Sequence, residues 1–252
     1  MPHLQHPPMP TRAAAAPGHP VPSGTGNRAA AFYDLDGTIV STNLVHAYWY
    51  YACNNQGLWR SLTQATRVLG RLPLFAAANL LDRQIFNELF FKVYAGESED
   101  RLRYLSEELF EKVLKPAIFP GAELLVRSAR DAGLRQIIVS GAPDFTVRPI
   151  ARYLGMDEFT CNRLEFINQR CTGRVLPPVM ANATKATWIR NYADTHGLRL
   201  ADCHAYADSH SDLPMLAVVG HPAAVNPDTR LRLTARQQRW PILDLRARPG
   251  RA

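Results

Sequence analysis

Hydrophobic and polar positions change period twice along the chain. From residue 30 an apolar run ending in Tyr33 is short enough to be a buried strand, and it stops on Asp34 and Asp36. Residues 43–115 then place apolar and aromatic side chains at helical spacing, with breaks at Gly57, Gly70 to Pro73, Gly96 and Pro116, which predicts roughly four helices. Within them Leu80, Leu81, Ile85, Phe86, Leu89, Phe90 and Val93 make an apolar stripe suited to a bundle core. From Phe119 onward strands and helices alternate. A helix follows Pro120 and Gly121, a buried strand over 134–139 ends at Ser140 and Gly141, and a helix covers 145–153. Strands over 159–167 and 172–176 flank a turn near Asn168, a helix spans 183–195, and a short strand over 203–207 ends at Asp208. A strand over 222–225, a helix after Pro227 and a last strand over 242–245 complete the series.

Such alternation predicts an α/β fold with a doubly wound, mainly parallel, Rossmann-like sheet. The expected organisation is a core of 30–42 and 117–245 carrying an inserted α-helical cap over 43–116. Residues 1–29, rich in Pro, Ala, Gly and His without periodicity, read as a disordered tail, and 246–252 as a basic one. Ligands of these sheets bind outside the carboxyl ends of the strands. Three apolar strands here end in reactive polar residues: Asp34 and Asp36, then Ser140 and Gly141, then Asp208 with Asp212. All three ends should meet at one edge.

Composition narrows the function classes. The 252 residues can bury a full core, and no apolar run approaches the ~20 residues of a transmembrane helix. No secretory signal is evident at the N-terminus, so the protein is expected in the cytoplasm. The net charge of +7 suggests an anionic partner until its position is considered. Residues 1–30 carry +2 and residues 229–252 carry +6, which leaves the middle nearly neutral and speaks against specific nucleic-acid binding. Cys53, Cys161, Cys171 and Cys203 lack zinc-site spacing and read as free thiols, although Cys161 and Cys171 could face each other across a hairpin.

Asp34 and Asp36 in one turn bring like charges together, a conflict that a cation or a shared proton must relieve. Gly37 lets the backbone leave the strand sharply, and Thr38 offers a hydroxyl to whatever anion the turn holds. The pentapeptide alone would equally suit a solvated turn.

D-L-D-G-T at 34–38, V-S-G at 139–141, Lys185 in N-A-T-K and Y-A-D-S-H-S-D-L-P-M-L at 206–216 change that balance. Together, and in this order, they resemble the haloacid dehalogenase superfamily, in its phosphoserine-phosphatase-like branch with a helical cap after the first motif. The resemblance implies a Mg²⁺-dependent phosphomonoester hydrolase working through an aspartyl-phosphate. Asp34 would be the nucleophile, Asp36 the general acid and base, and Lys185 the neutralising cation. Asp34, Asp208 and the main-chain carbonyl of Asp36 would hold Mg²⁺, with Asp212 supporting. Thr38, Ser140 and Gly141 would meet phosphoryl oxygens, and Asn43 and His46 on the first cap helix could touch the rest of the substrate.

The departures concern that substrate. Asn43 stands where phosphoserine phosphatases place a Glu for the substrate amine, and the fourth motif reads D-S-H-S-D rather than D-G-x-N-D. The expected substrate is therefore a small or lipid-like phosphomonoester, with phosphoserine as the alternative. Phosphoryl transfer to another acceptor and a catalytically idle binding protein are the competing functions.

Overall fold

The computed structural model describes residues 29–42, 47, 49–51 and 83–246. Residues 1–28 and 247–252 and about half of the expected cap, including Asn43, His46 and Cys53, lie outside the described residues.

Strand β1 (Ala30–Tyr33) is wholly buried at the centre of a seven-stranded sheet. It is followed by α1 (Arg83–Phe91), α2 (Glu99–Leu109), α3 (Ala122–Asp131), β2 (Arg135–Pro143) and α4 (Asp144–Leu154). Then come β3 (Glu158–Ile167), β4 (Arg170–Leu176), α5 (Ala183–His196), β5 (His204–Ala207) and the single turn α6 (Leu213–Leu216). The chain closes with β6 (His221–Val225), α7 (Thr229–Gln238) and β7 (Ile242–Leu243). The strand order is β4-β3-β2-β1-β5-β6-β7, and every pairing is parallel except that of β3 with β4. This is the α/β, mainly parallel sheet expected from the alternating pattern. Among the described residues no helix is long and apolar enough to cross a membrane.

The pleat of the central strands sorts the core into two layers. Ala31 and Tyr33 join Ile138 and the apolar faces of α3 and α4 on one side, where Phe86, Phe90 and Tyr94 also pack. Ala30 and Phe32 join Ile137, Val139 and the inward residues of α5 and α7 on the other. Because both faces of β1 are covered, it reads as a continuous apolar run and not as an alternating one. The chain leaves β1 towards β2 on one side and returns at β5 on the other, so the strand order reverses beside β1.

Two local expectations are corrected. Strand β2 does not stop at Val139: Val139 pairs with Thr160 and Pro143 with Asn162, so two extra residues of β2 bulge out between those pairs. Ser140 and Gly141 therefore sit in a bulged strand end rather than in a tight turn, and α4 begins only at Asp144. In the β3–β4 hairpin Cys171 lies opposite Phe166, so it does not face Cys161, and Cys161, Cys171 and Cys203 are all free.

Candidate active site

The loop after β1 is wound tightly on itself. The amides of Thr38, Ile39 and Val40 all donate to the Leu35 carbonyl, and the Gly37 amide donates to that of Val40 at 2.7 Å. Gly37 has φ of +86°, and a β-carbon there would lie 2.1 Å from Asp208 Oδ2. Only glycine lets the first motif and the strand end of β5 approach this closely. The Asn226 side chain reaches the Gly37 carbonyl at 3.4 Å and accepts from the Leu245 amide at 3.0 Å, tying the loop to the end of the sheet.

Asp34, Asp208 and Asp212 each bring a carboxylate oxygen within 4.8 Å of the others. Lys185, almost fully buried near the start of α5, reaches Asp34 Oδ1 at 2.6 Å and Asp212 Oδ1 at 2.7 Å. Burial pulls its pKa down, yet the Asp212 and Asp34 carboxylates outweigh that and hold it above the ordinary lysine value. Asp208 has no such ammonium in contact. Burial, together with the charges of Asp34 and Asp212, pushes its carboxyl up to about 8, and Lys185 offsets only part of the rise.

These side chains open onto one cavity of about 320 Å³, lined also by Asp36, Gly37, Ser41, Thr42, Gly141, Met180, Ser209, Ser211 and Asp228. Asp36 is half-buried at its wall. Its side chain is outside the cluster of three carboxylates. Thr38 is fully buried and its hydroxyl reaches Asp34 Oδ2 at 3.4 Å and Asp208 Oδ1 at 3.3 Å. It braces two carboxylates and is not among the described residues lining the cavity. Ser140 is also fully buried, accepting from the Ala142 amide at 3.0 Å, while Gly141 forms cavity wall.

Two positioning residues escaped the sequence pattern. Asn162 on β3 donates to the Gly141 carbonyl and accepts from the Met180 amide, both at 2.7 Å, so it clasps two walls of the cavity together. Asp228 caps α7 by accepting from the Leu231 amide, and it also accepts from the His210 amide at 2.9 Å, anchoring the loop that carries Asp212. A Pro-Asp-Thr helix start signals the cap, but nothing in the sequence signals the loop it holds.

Three carboxylates thus gather where the strand order reverses, two of them held by a buried lysine. The family model for haloacid dehalogenase-like hydrolases matches residues 31–217, and the chain belongs to that family. Within it, this is a phosphatase of the phosphoserine-phosphatase-like branch. The chain is 31% identical over 219 residues to phosphoserine phosphatase SerB1 of Mycobacterium tuberculosis, covering 86% of this chain and 71% of that protein. It is 26% identical over 223 residues to a histidinol-phosphatase of Neisseria meningitidis, covering 86% and 98%. A Bordetella pertussis Tohama I protein of unknown function has a similar structure, with a TM-score of 0.74 at 25% identity, covering 87% of this chain and 100% of that one.

Replacing Lys185 with Met should expose how far the cluster depends on it. Two buried carboxylates would lose their partner, so we expect a stability loss on the order of 3–5 kcal/mol in metal-free protein, measured by chemical denaturation. A loss below ~1 kcal/mol, typical of a surface pair, would mean that the buried bridge does not form in solution.

Proposed function

We propose that this phosphatase hydrolyses small phosphomonoesters through an aspartyl-phosphate on Asp34, with Mg²⁺ as its cation. The observation that carries the reading is the meeting of Asp34, Asp208 and Asp212 around Lys185 in one cavity. One ammonium cannot balance the cluster once Asp208 is ionised, and the surplus would repel a phosphate dianion. Hard oxygen donors from Asp34, Asp208 and the main-chain carbonyl of Asp36 fit Mg²⁺, which keeps water or substrate oxygens in its other positions. When bound, it would neutralise phosphoryl charge and help align the ester.

The chain's own residues then divide the reaction. A carboxylate oxygen of Asp34 attacks phosphorus, and the bond from phosphorus to the alcohol oxygen breaks. Asp36 gives its proton to the departing oxygen, and as a carboxylate it then takes one from the water that releases phosphate and restores Asp34. Lys185, held between Asp34 and Asp212, offsets charge on the transferring group. The Gly141 backbone forms a wall for phosphoryl oxygens, and the Ser140 hydroxyl, which accepts from Ala142, keeps its own proton to donate.

The cavity size and its hydroxyl-rich lining support a small polar ester, and among the described lining residues nothing favours a lipid tail. A second reading, phosphoserine, is favoured by the likeness to the Mycobacterium phosphoserine phosphatase. The neutral Asn43 weighs against it, because an ammonium enclosed without a carboxylate is costly.

A panel of phosphomonoesters assayed with and without Mg²⁺ tests the class and the substrate together. We expect Mg²⁺-dependent turnover in which a small ester other than phosphoserine has the highest kcat/KM. Phosphoserine above every other ester would restore the second reading. Asp34→Asn should lower kcat by about 10³-fold or more with the fold retained, and Asp36→Asn should slow both half-reactions. Activity of Asp34→Asn within tenfold of wild type would contradict the assignment.

The raised pKa of Asp208 gives an independent check by pH. The folded chain keeps this proton up to about pH 8, whereas the unfolded chain releases it near ~3.9. Across that window the folded state binds the extra proton, so metal-free protein loses stability as pH rises. Cation binding to the ionised cluster reverses the loss. The increase in melting temperature on adding Mg²⁺ should therefore be larger at pH 8 than at pH 6, and an increase independent of pH would count against Asp208 as a ligand.

A further inference from the structure

We propose that Asn87 is a specificity-determining residue, which together with Thr42 selects phosphomonoesters whose alcohol carries a neutral hydroxyl near the ester oxygen. The inference rests on the phosphatase reading above and concerns the half of the substrate that reading leaves open. Asn87 lies on α1 between Phe86 and Phe90, whose rings stack at 5.6 Å and bury the helix against the core. The whole of Asn87 is buried, and neither its carboxamide oxygen nor its nitrogen has a hydrogen-bond partner. A buried amide with both ends unpaired is costly, and a structural position would be better served by an apolar side chain of similar size.

The location of the amide points to its partner. Its nitrogen lies 3.0 Å from the point a β-carbon on Gly141 would occupy, and Gly141 is a wall of the cavity that holds Asp34. Glycine places no side chain between the amide and that wall. Thr42, where the chain leaves the core, lines the same cavity, and its buried hydroxyl also has no partner. Both groups are neutral and both can donate and accept, which matches a hydroxyl. A carboxylate on the alcohol would be poorly served: Lys185 is the one cation among the described lining residues, and it is already held by Asp34 and Asp212.

Glycerol 1-phosphate and propyl phosphate share the reacting bond and differ in the hydroxyls of the alcohol, so they isolate this contact. With Mg²⁺ present, wild type should favour glycerol 1-phosphate in kcat/KM by about tenfold or more. Asn87→Ala and Asn87→Leu should bring the ratio towards one, and Thr42→Val should reduce it from the other side. A merely structural Asn87 would lower both esters equally and keep the ratio, which would overturn the proposal. A wild-type ratio near one would overturn it without any variant. Hydrolysis of p-nitrophenyl phosphate, measured alongside, separates the two readings. Turnover of that ester without hydroxyl preference removes the role of Asn87 alone, whereas no turnover of any ester removes the phosphatase reading as well.

Discussion

The structure depends on one buried ammonium. Lys185 sits among apolar neighbours of α5, where an unpaired charge would be forced to neutralise, and it remains charged because Asp34 and Asp212 are within 2.7 Å. That requirement fixes three pieces of chain against each other: the end of β1, the start of α5 and the short helical turn after β5. It also leaves the site incomplete in charge, since Asp208 stands beside the pair with its pKa raised. An arrangement that is locally unfavourable in this way is common where charge must be accepted during a reaction.

Close approach is the second constraint. Gly37 allows the Asp208 carboxylate into space that any β-carbon would fill, and the buried Thr38 hydroxyl spans Asp34 and Asp208. The ends of β1 and β5 are thereby held nearer than strand pairing alone would bring them. Asn226, Asp228 and Asn162 complete the support from three other elements, each through hydrogen bonds to backbone. Rigid strand ends thus carry the reacting groups.

The extent to which this was legible in the sequence follows from what each residue does. The buried strands were readable because both faces of a parallel sheet are covered, which leaves short apolar runs ending in polar residues at 34, 140 and 208. Lys185, Asp208 and Asp212 could be singled out because they lie in motifs with fixed spacing. The bulge at Ser140 could not, since it depends on how β2 registers against β3. Asn162 is one more polar residue in a strand, and Asn87 one more polar residue in a helix; their meaning appears only when Gly141 is seen beside both. Thr38 stands out in the sequence as a hydroxyl beside Asp34, but sequence does not reveal that this hydroxyl spans Asp34 and Asp208.

The central claim is that Asp34, held by Lys185, becomes covalently phosphorylated. It is tested most directly by mixing the protein with substrate and Mg²⁺, quenching in acid within a turnover, and mapping the adduct by mass spectrometry. The account predicts a single acid-stable, base-labile phosphoryl group on the peptide containing Asp34, enriched when Asp36 is replaced by Asn. Phosphate on any other side chain, or efficient turnover with no trapped adduct in either protein, would contradict it.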